Sequence, residues 1–233
     1  MDGEELVTLL CTPQDLEELV VGYLASEAVV QAAADIRWLA IDPGRGEAFV
    51  VTVDGRGRGL QARFAQRTIG ACCGKGRLSL YWQSDVAAVR SLAGCGPTLG
   101  AASVRAAMDG LRSAAAGAVF GRTGGVHDAC LARSDGALLA WRSDIGRHNA
   151  LDKLFGMALL TGLDTSDLVV AVSGRVSSEV LLKVAKMGVA VLVSKAAATD
   201  LALRLADEIG MTVVGFVREG RMTVYAGDER LRG

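Results

Sequence analysis

Leu168-Val169-Val170-Ala171-Val172-Ser173-Gly174-Arg175-Val176-Ser177-Ser178-Glu179 and, one helical segment later, Val189-Ala190-Val191-Leu192-Val193-Ser194-Lys195 follow one pattern. Each is a short, β-branched apolar run that breaks into a small polar turn. Runs of this length without alternation read as strands buried on both faces. Residues 177–186 and 199–209 carry helical spacing after each turn, and residues 212–217 supply a third apolar run. Strands alternating with helices predict an α/β (α+β) chain with a buried sheet covered by helices.

Working outward, residues 221–226 read as a returning edge strand. Residues 126–132 and 137–141 flank Ser134-Asp135-Gly136 and read as a hairpin. Residues 147–160 predict an amphipathic helix and residues 98–115 another. Near the N-terminus, Thr12-Pro13-Gln14-Asp15 is a helix start, with Thr12 as cap, Pro13 in the first turn and Asp15 as the capping-box acid. Residues 36–41 and 48–53 read as strands around Asp42-Pro43-Gly44. Two domains are expected: residues 1–85, a small α+β unit with a basic cysteine loop, and residues 86–233, a larger unit holding the alternating strands and helices.

Composition narrows the function. The 233 residues are 51% hydrophobic and 22% charged with a net charge of −1, so the chain is no polycation built to coat nucleic acid. The richest apolar stretch, residues 19–34, is broken by Ser26 and Glu27 and does not predict a membrane span. An acidic start, Met1-Asp2-Gly3-Glu4-Glu5, lacks the form of a secretion signal. Five cysteines, an odd number, do not form a disulfide framework, and a reducing cytoplasm is expected.

Gly70-Ala71-Cys72-Cys73-Gly74-Lys75-Gly76 is the most informative stretch for chemistry. It lies in a glycine-rich segment, residues 54–77, whose local charge balance is +5. This segment reads as an exposed loop region, with one strand expected near residues 60–66. Closing a disulfide between adjacent cysteines strains the ring. Cations at Arg67, Lys75 and Arg77 favour the thiolate, the nucleophilic form. Such a thiolate suits attack on a sulfur donor. The same residues also fit a second reading, a pair of small apolar side chains in a turn. Cys11 and Cys130 read as core, and Cys95 as a loop thiol that is either reactive or inert. No Cys-x-x-Cys pair exists to support a structural zinc site.

The two turns that opened this reading carry the second signal. Ser173-Gly174-Arg175 and Ser194-Lys195 each join a strand to a helix start, where backbone donors, hydroxyls and a cation favour an anion. In an open α/β sheet both fall at the carboxyl ends of strands, where ligands bind. Ordinary capping accounts for the hydroxyls as well. Gly124-Gly125-Val126-His127-Asp128 and Asp144-Ile145-Gly146-Arg147-His148-Asn149-Ala150-Leu151-Asp152-Lys153 concentrate both histidines among polar residues. Singly each histidine reads as scaffold. Together the two runs, with their Asp, Asn and Arg residues, predict a polar cleft for a base, ribose or phosphate, with His127, Arg147 and His148 as its candidate contacts.

These motifs, with Glu4-Glu5-Leu6-Val7-Thr8-Leu9-Leu10-Cys11-Thr12-Pro13 and Val214-Gly215-Phe216-Val217-Arg218, resemble the FdhD family of formate dehydrogenase accessory sulfurtransferases over nearly the whole length. The resemblance implies a sulfurtransferase working through a cysteine persulfide. Sulfur would come from a cysteine desulfurase and go to a molybdenum (or tungsten) bis(molybdopterin guanine dinucleotide) cofactor needed by formate dehydrogenase. It also implies a larger domain similar to the cytidine deaminase fold and a homodimer. No resident metal, nucleic acid or membrane is implied. Family members commonly carry Cys-x-x-Cys on the sulfur loop, where this chain has Cys72-Cys73, so both thiols are candidates. The segment Phe216, Val217, Arg218, Glu219, Gly220 and Arg221 matches a family stretch assigned to the cofactor. Ser173, Gly174, Arg175, His127, Arg147, His148 and Lys195 complete the candidate binding set. A non-catalytic cofactor chaperone is the alternative. A deaminase-like hydrolase lacks the His-x-Glu and Cys-x-x-Cys signature it would need.

Overall fold

A computed structural model of the chain describes residues 1–58, 68–69, 89–116, 125–218 and 220–232. In chain order, β1 (Thr8–Leu9), α1 (Leu16–Ser26), the hairpin β2 (Ile36–Asp42) and β3 (Glu47–Thr52), the short strands β4 (Thr68–Ile69) and β5 (Leu99–Gly100), and α2 (Ala101–Ala116) come first. Then follow β6 (His127–Ala132), β7 (Leu138–Asp144), α3 (Arg147–Thr161), β8 (Val169–Val172), α4 (Ser178–Lys186), β9 (Val191–Ser194), α5 (Asp200–Ile209), β10 (Thr212–Arg218), β11 (Arg221–Ala226) and β12 (Leu231–Arg232).

The main sheet has the order β11-β10-β9-β8-β6-β7, with β8, β9 and β10 parallel to one another and β6 and β11 antiparallel to their neighbours. Alternate side chains feed two cores. Val170, Val172, Leu192 and Val213 pack with residues of α3, α4 and α5, while Val169, Ala171, Val191, Val193 and Val214 pack with Val104, Met108 and Leu111 of α2. Both faces of β8 and β9 are therefore buried, which is why their sequences do not alternate. The mixed α/β class, the 221–226 edge strand and the Ser134-Asp135-Gly136 hairpin all match the sequence reading. Gly136 takes φ 88° there, and a Cβ on it would lie 2.5 Å from Ser103 O. Among the described residues no helix is long and apolar enough to cross a membrane.

Two expectations need correction. Helix α1 begins at Leu16, later than the Thr12-Pro13 start implied, and Asp15 precedes it at φ 52° with no side-chain cap. Thr12 is buried and bonded elsewhere: its N–H donates to Asp144 Oδ2 (3.0 Å) and its hydroxyl accepts from Ile145 N–H (3.1 Å). A tertiary partner has displaced a local cap. Helix α3 is not amphipathic, for every residue from Asn149 to Gly156 is buried. The reason is α1, which lies on its outer side at backbone contact. A Cβ on Gly22 would sit 1.7 Å from Asp152 O, and one on Gly156 would sit 1.9 Å from Glu18 O. The expected division at residues 85/86 and the strand near 60–66 lie outside the described residues.

Candidate functional site

Register places the candidate residues along one edge of the sheet. His127 pairs with Asp144 and Ala129 with Val172, so the start of β6 lies beside the ends of β7 and β8. The parallel register of β8, β9 and β10 brings Ser173-Gly174-Arg175, Ser194-Lys195 and Arg218 to that same edge, and Arg221 pairs with Arg218 across the β10–β11 turn. Helices α3, α4 and α5 all start there, so three positive helix ends converge. Ser177 and Thr199 cap α4 and α5 by accepting from Val180 N–H and Ala202 N–H, as the capping reading foresaw. Helix α3 starts at Gly146 with no side-chain cap.

The polar run at α3 divides into two sets. Asp144 and Lys153 are fully buried and paired at 2.8 Å. Asp144 also accepts from Thr12 N–H, Gly146 N–H (2.9 Å) and Asn149 Nδ2 (2.9 Å), and Asn149 Nδ2 donates as well to Leu10 O (2.9 Å). Lys153 Nζ donates to Thr12 O (3.1 Å) and Ser143 O (3.2 Å). This set ties the segment around Leu10–Thr12 to the helix and is scaffold. Asp152 is scaffold too, accepting from the Ser26 hydroxyl (2.6 Å) and paired with Lys183. Burial pushes the Asp152 carboxyl up, against the pull of Lys183 and Ser26.

The other set faces the edge. Gly174 lies against His127 and Arg147, since a Cβ there would meet His127 Nδ1 at 3.2 Å and Arg147 Cδ at 3.4 Å. Burial, helped by the Arg147 charge, pushes the His127 imidazole below its usual range, so it is neutral near pH 7. Arg147 Nε is buried without a hydrogen-bond partner among the described residues. His148 Nε2 stands 3.4 Å from Glu179 Oε2, joining the first turns of α3 and α4. Ser194 Oγ donates to Gly174 O (2.7 Å) and accepts from Ala196 N–H (2.9 Å), locking the two strand–helix turns together.

At the far end, Phe216 N–H donates to Ala196 O (3.1 Å) where the β10–β11 register slips. Phe216 sits at φ 51°, a strained position for a bulky residue, with its side chain exposed. The Arg218 guanidinium lies 5.8 Å from its ring centre and the Tyr225 ring 6.4 Å. Val217 points into the α2 core. Arg175, Lys195, Arg218 and Arg221 are exposed and have no ion-pair partner among the described residues. Four open cations, three helix starts and an unpartnered buried guanidine nitrogen suit an anionic group.

Glu219 and both candidate thiols, Cys72 and Cys73, lie outside the described residues. Cys130 is buried as expected, its thiol pushed up to about 12 by burial. Cys11 is half-buried, raised by burial and by Asp144, and Cys95 is exposed. Among the described residues no group of three or more His, Cys, Asp or Glu side chains comes together to hold a metal. In the sequence Asp128 stands out only as a member of the 124–128 polar run, and Ser143 and Tyr225 do not stand out. The hairpin register, which sets Asp128 opposite Ser143, is the signal that exposes the first two.

The sequence profile of the FdhD/NarQ family matches residues 1–232. The chain belongs to the FdhD/NarQ family. A sulfur carrier protein FdhD of Geobacillus kaustophilus is 47% identical over 233 residues, covering 99% of this chain and 86% of that one. The Bacillus subtilis protein of the same name is 44% identical, covering 100% of this chain and 86% of its own. A crystal structure from Desulfotalea psychrophila, described as a candidate formate dehydrogenase accessory protein, superposes with a TM-score of 0.75 at 24% identity, covering 97% of this chain and 87% of that one. That likeness bears on the fold.

Proposed function

We propose that this chain is a cytoplasmic, homodimeric sulfur carrier. It takes sulfur from a cysteine desulfurase onto Cys72 or Cys73 and delivers it to the molybdenum or tungsten bis(molybdopterin guanine dinucleotide) cofactor required by formate dehydrogenase. Membership of the FdhD/NarQ family, whose similar members are named sulfur carriers, supports the transfer chemistry. The observation that carries the client's nature is the convergence of Arg175, Lys195, Arg218 and Arg221 with three helix starts at one sheet edge.

In the loading step a thiolate of the Cys72/Cys73 pair attacks the outer sulfur of the desulfurase persulfide. A new S–S bond forms, the donor S–S bond breaks, and the donor cysteine leaves as thiolate. Arg67, Lys75 and Arg77 lie close in sequence and favour the attacking anion. Delivery as sulfide requires two electrons, which an external dithiol supplies as it becomes a disulfide. The client's phosphates meet the open cations and helix starts while Arg147 and His127 line the cleft beside Gly174.

Incubation with a desulfurase and cysteine is expected to add one sulfur mass to the Cys72/Cys73 peptide, read by mass spectrometry under non-reducing conditions. A protein with Cys72→Ala and Cys73→Ala is expected to take up none and to leave formate dehydrogenase inactive. Full formate dehydrogenase activity with that double variant would replace the carrier by a non-catalytic cofactor chaperone.

A further inference from the structure

Asp128 is an acid on the edge that also carries Arg175, Lys195, Arg218 and Arg221. Its backbone is locked to the first site turn: its N–H donates to Ser173 Oγ (2.9 Å), and Ser173 N–H donates back to its carbonyl (2.9 Å). The Ser143 hydroxyl donates to Oδ1 (2.8 Å) and fixes the carboxylate's orientation. Of the neighbouring acids, Asp144 is paired with Lys153, and Glu179 Oε2 stands 3.4 Å from His148 Nε2. Asp128 has no such partner within 4.0 Å among the described residues, and the charges of His127 and Lys195 reach it only through space. Burial pushes its carboxyl up, with Ser143 and the Trp141 indole pulling the other way.

A half-buried carboxylate here repels phosphate and rewards N–H donors. Guanine offers two adjacent N–H groups on its pairing edge, matching the lone pairs that Ser143 and the Trp141 indole leave open. Adenine offers one donor beside an acceptor. Distance fits as well. From β6, the strands β9 and β10 lie two and three intervals away, about 10 and 14 Å. A base at Asp128 leaves Lys195 and the Arg218–Arg221 turn within reach of its phosphates.

We propose that Asp128 is the specificity residue of this site, its carboxylate accepting the N1–H and exocyclic N–H of the client's guanine while Ser143 holds it in place. The inference rests on the guanine dinucleotide reading above. It is tested on the full chain by calorimetric titration with guanosine, adenosine and xanthosine diphosphates. The wild-type protein is expected to favour the guanine nucleotide over the adenine one by about tenfold to a hundredfold. Asp128→Asn, which presents a donor beside an acceptor, is expected to weaken guanosine diphosphate by at least about tenfold and to reverse the order in favour of xanthosine diphosphate. Asp128→Glu keeps the charge, displaces it by one methylene, and is expected to lose guanine preference without gaining xanthine binding. If Asp128→Asn does not fold by circular dichroism, Asp128→Glu alone decides. Guanosine diphosphate binding unchanged in both variants overturns the role of Asp128 and leaves the nucleotide reading intact. A wild-type chain that binds none of the three overturns both.

Discussion

Two polar sets grow from the same ten residues at the start of α3, and they behave oppositely. Asp144, Asn149, Asp152 and Lys153 point inward, are buried, and have partners for their charges and amides. Arg147 and His148 point to the sheet edge, and the Arg147 Nε lacks a partner among the described residues. Density of polar residues in a motif is therefore not itself a sign of a binding site. What separates Arg147 from the inward set is that its buried Nε has no partner among the described residues, and a buried polar group without a partner is costly unless something outside supplies one.

The sharpest way to break the comparison is Lys153→Met. It leaves Asp144 buried and uncompensated, and a loss of about 3–5 kcal/mol in urea unfolding is expected. A loss under about 1 kcal/mol would mean that the inward set is not the scaffold described here. Gly22→Ala comes next. It drives a methyl into Asp152 O, so α1 and α3 must separate, at an expected cost of about 2–3 kcal/mol.

On the outward set the effect moves from stability to binding. The double change Arg175→Ala with Lys195→Ala is expected to shift stability by no more than about 0.5 kcal/mol, as both side chains are exposed. The same protein is expected to lose at least about tenfold in affinity for guanosine diphosphate. Normal binding would remove the two turns from the site.

The smallest effect is a pH slope. Burial and Arg147 lower the His127 pKa on folding, so the unfolded chain binds its proton first as pH falls. Stability contributed by neutral His127 is thus full above the unfolded value, about 6.5, and declines as pH drops below it toward the folded pKa. Urea midpoints at pH 5 and 7.5 are expected to differ less in His127→Gln than in the wild type.

The sheet and its helices were legible because their signals are local. Runs such as 168–172 and 212–217 declare buried strands by composition, and the observed elements match them within about two residues at most ends. The failures at Thr12 and along α3 share another cause. Thr12 bonds to residues 132 and 133 positions away, and the covering of α3 by α1 depends on Gly22 meeting Gly156. Neither partner is visible in a window of helical length. In the same way, His127, Arg147 and the two strand-end turns stand out in the sequence, while Asp128 shows there only as a member of the 124–128 polar run, since its setting depends on Ser143 across a hairpin and on Ser173 from another strand.

Phe216 carries a consequence for stability. A phenylalanine in the left-handed region is about 1–3 kcal/mol worse there than a residue at ease with that backbone. Glycine or asparagine would relax the turn and keep the Ala196 contact. Stability alone would favour those residues at position 216, so the phenylalanine has to be offset by what its exposed ring contacts.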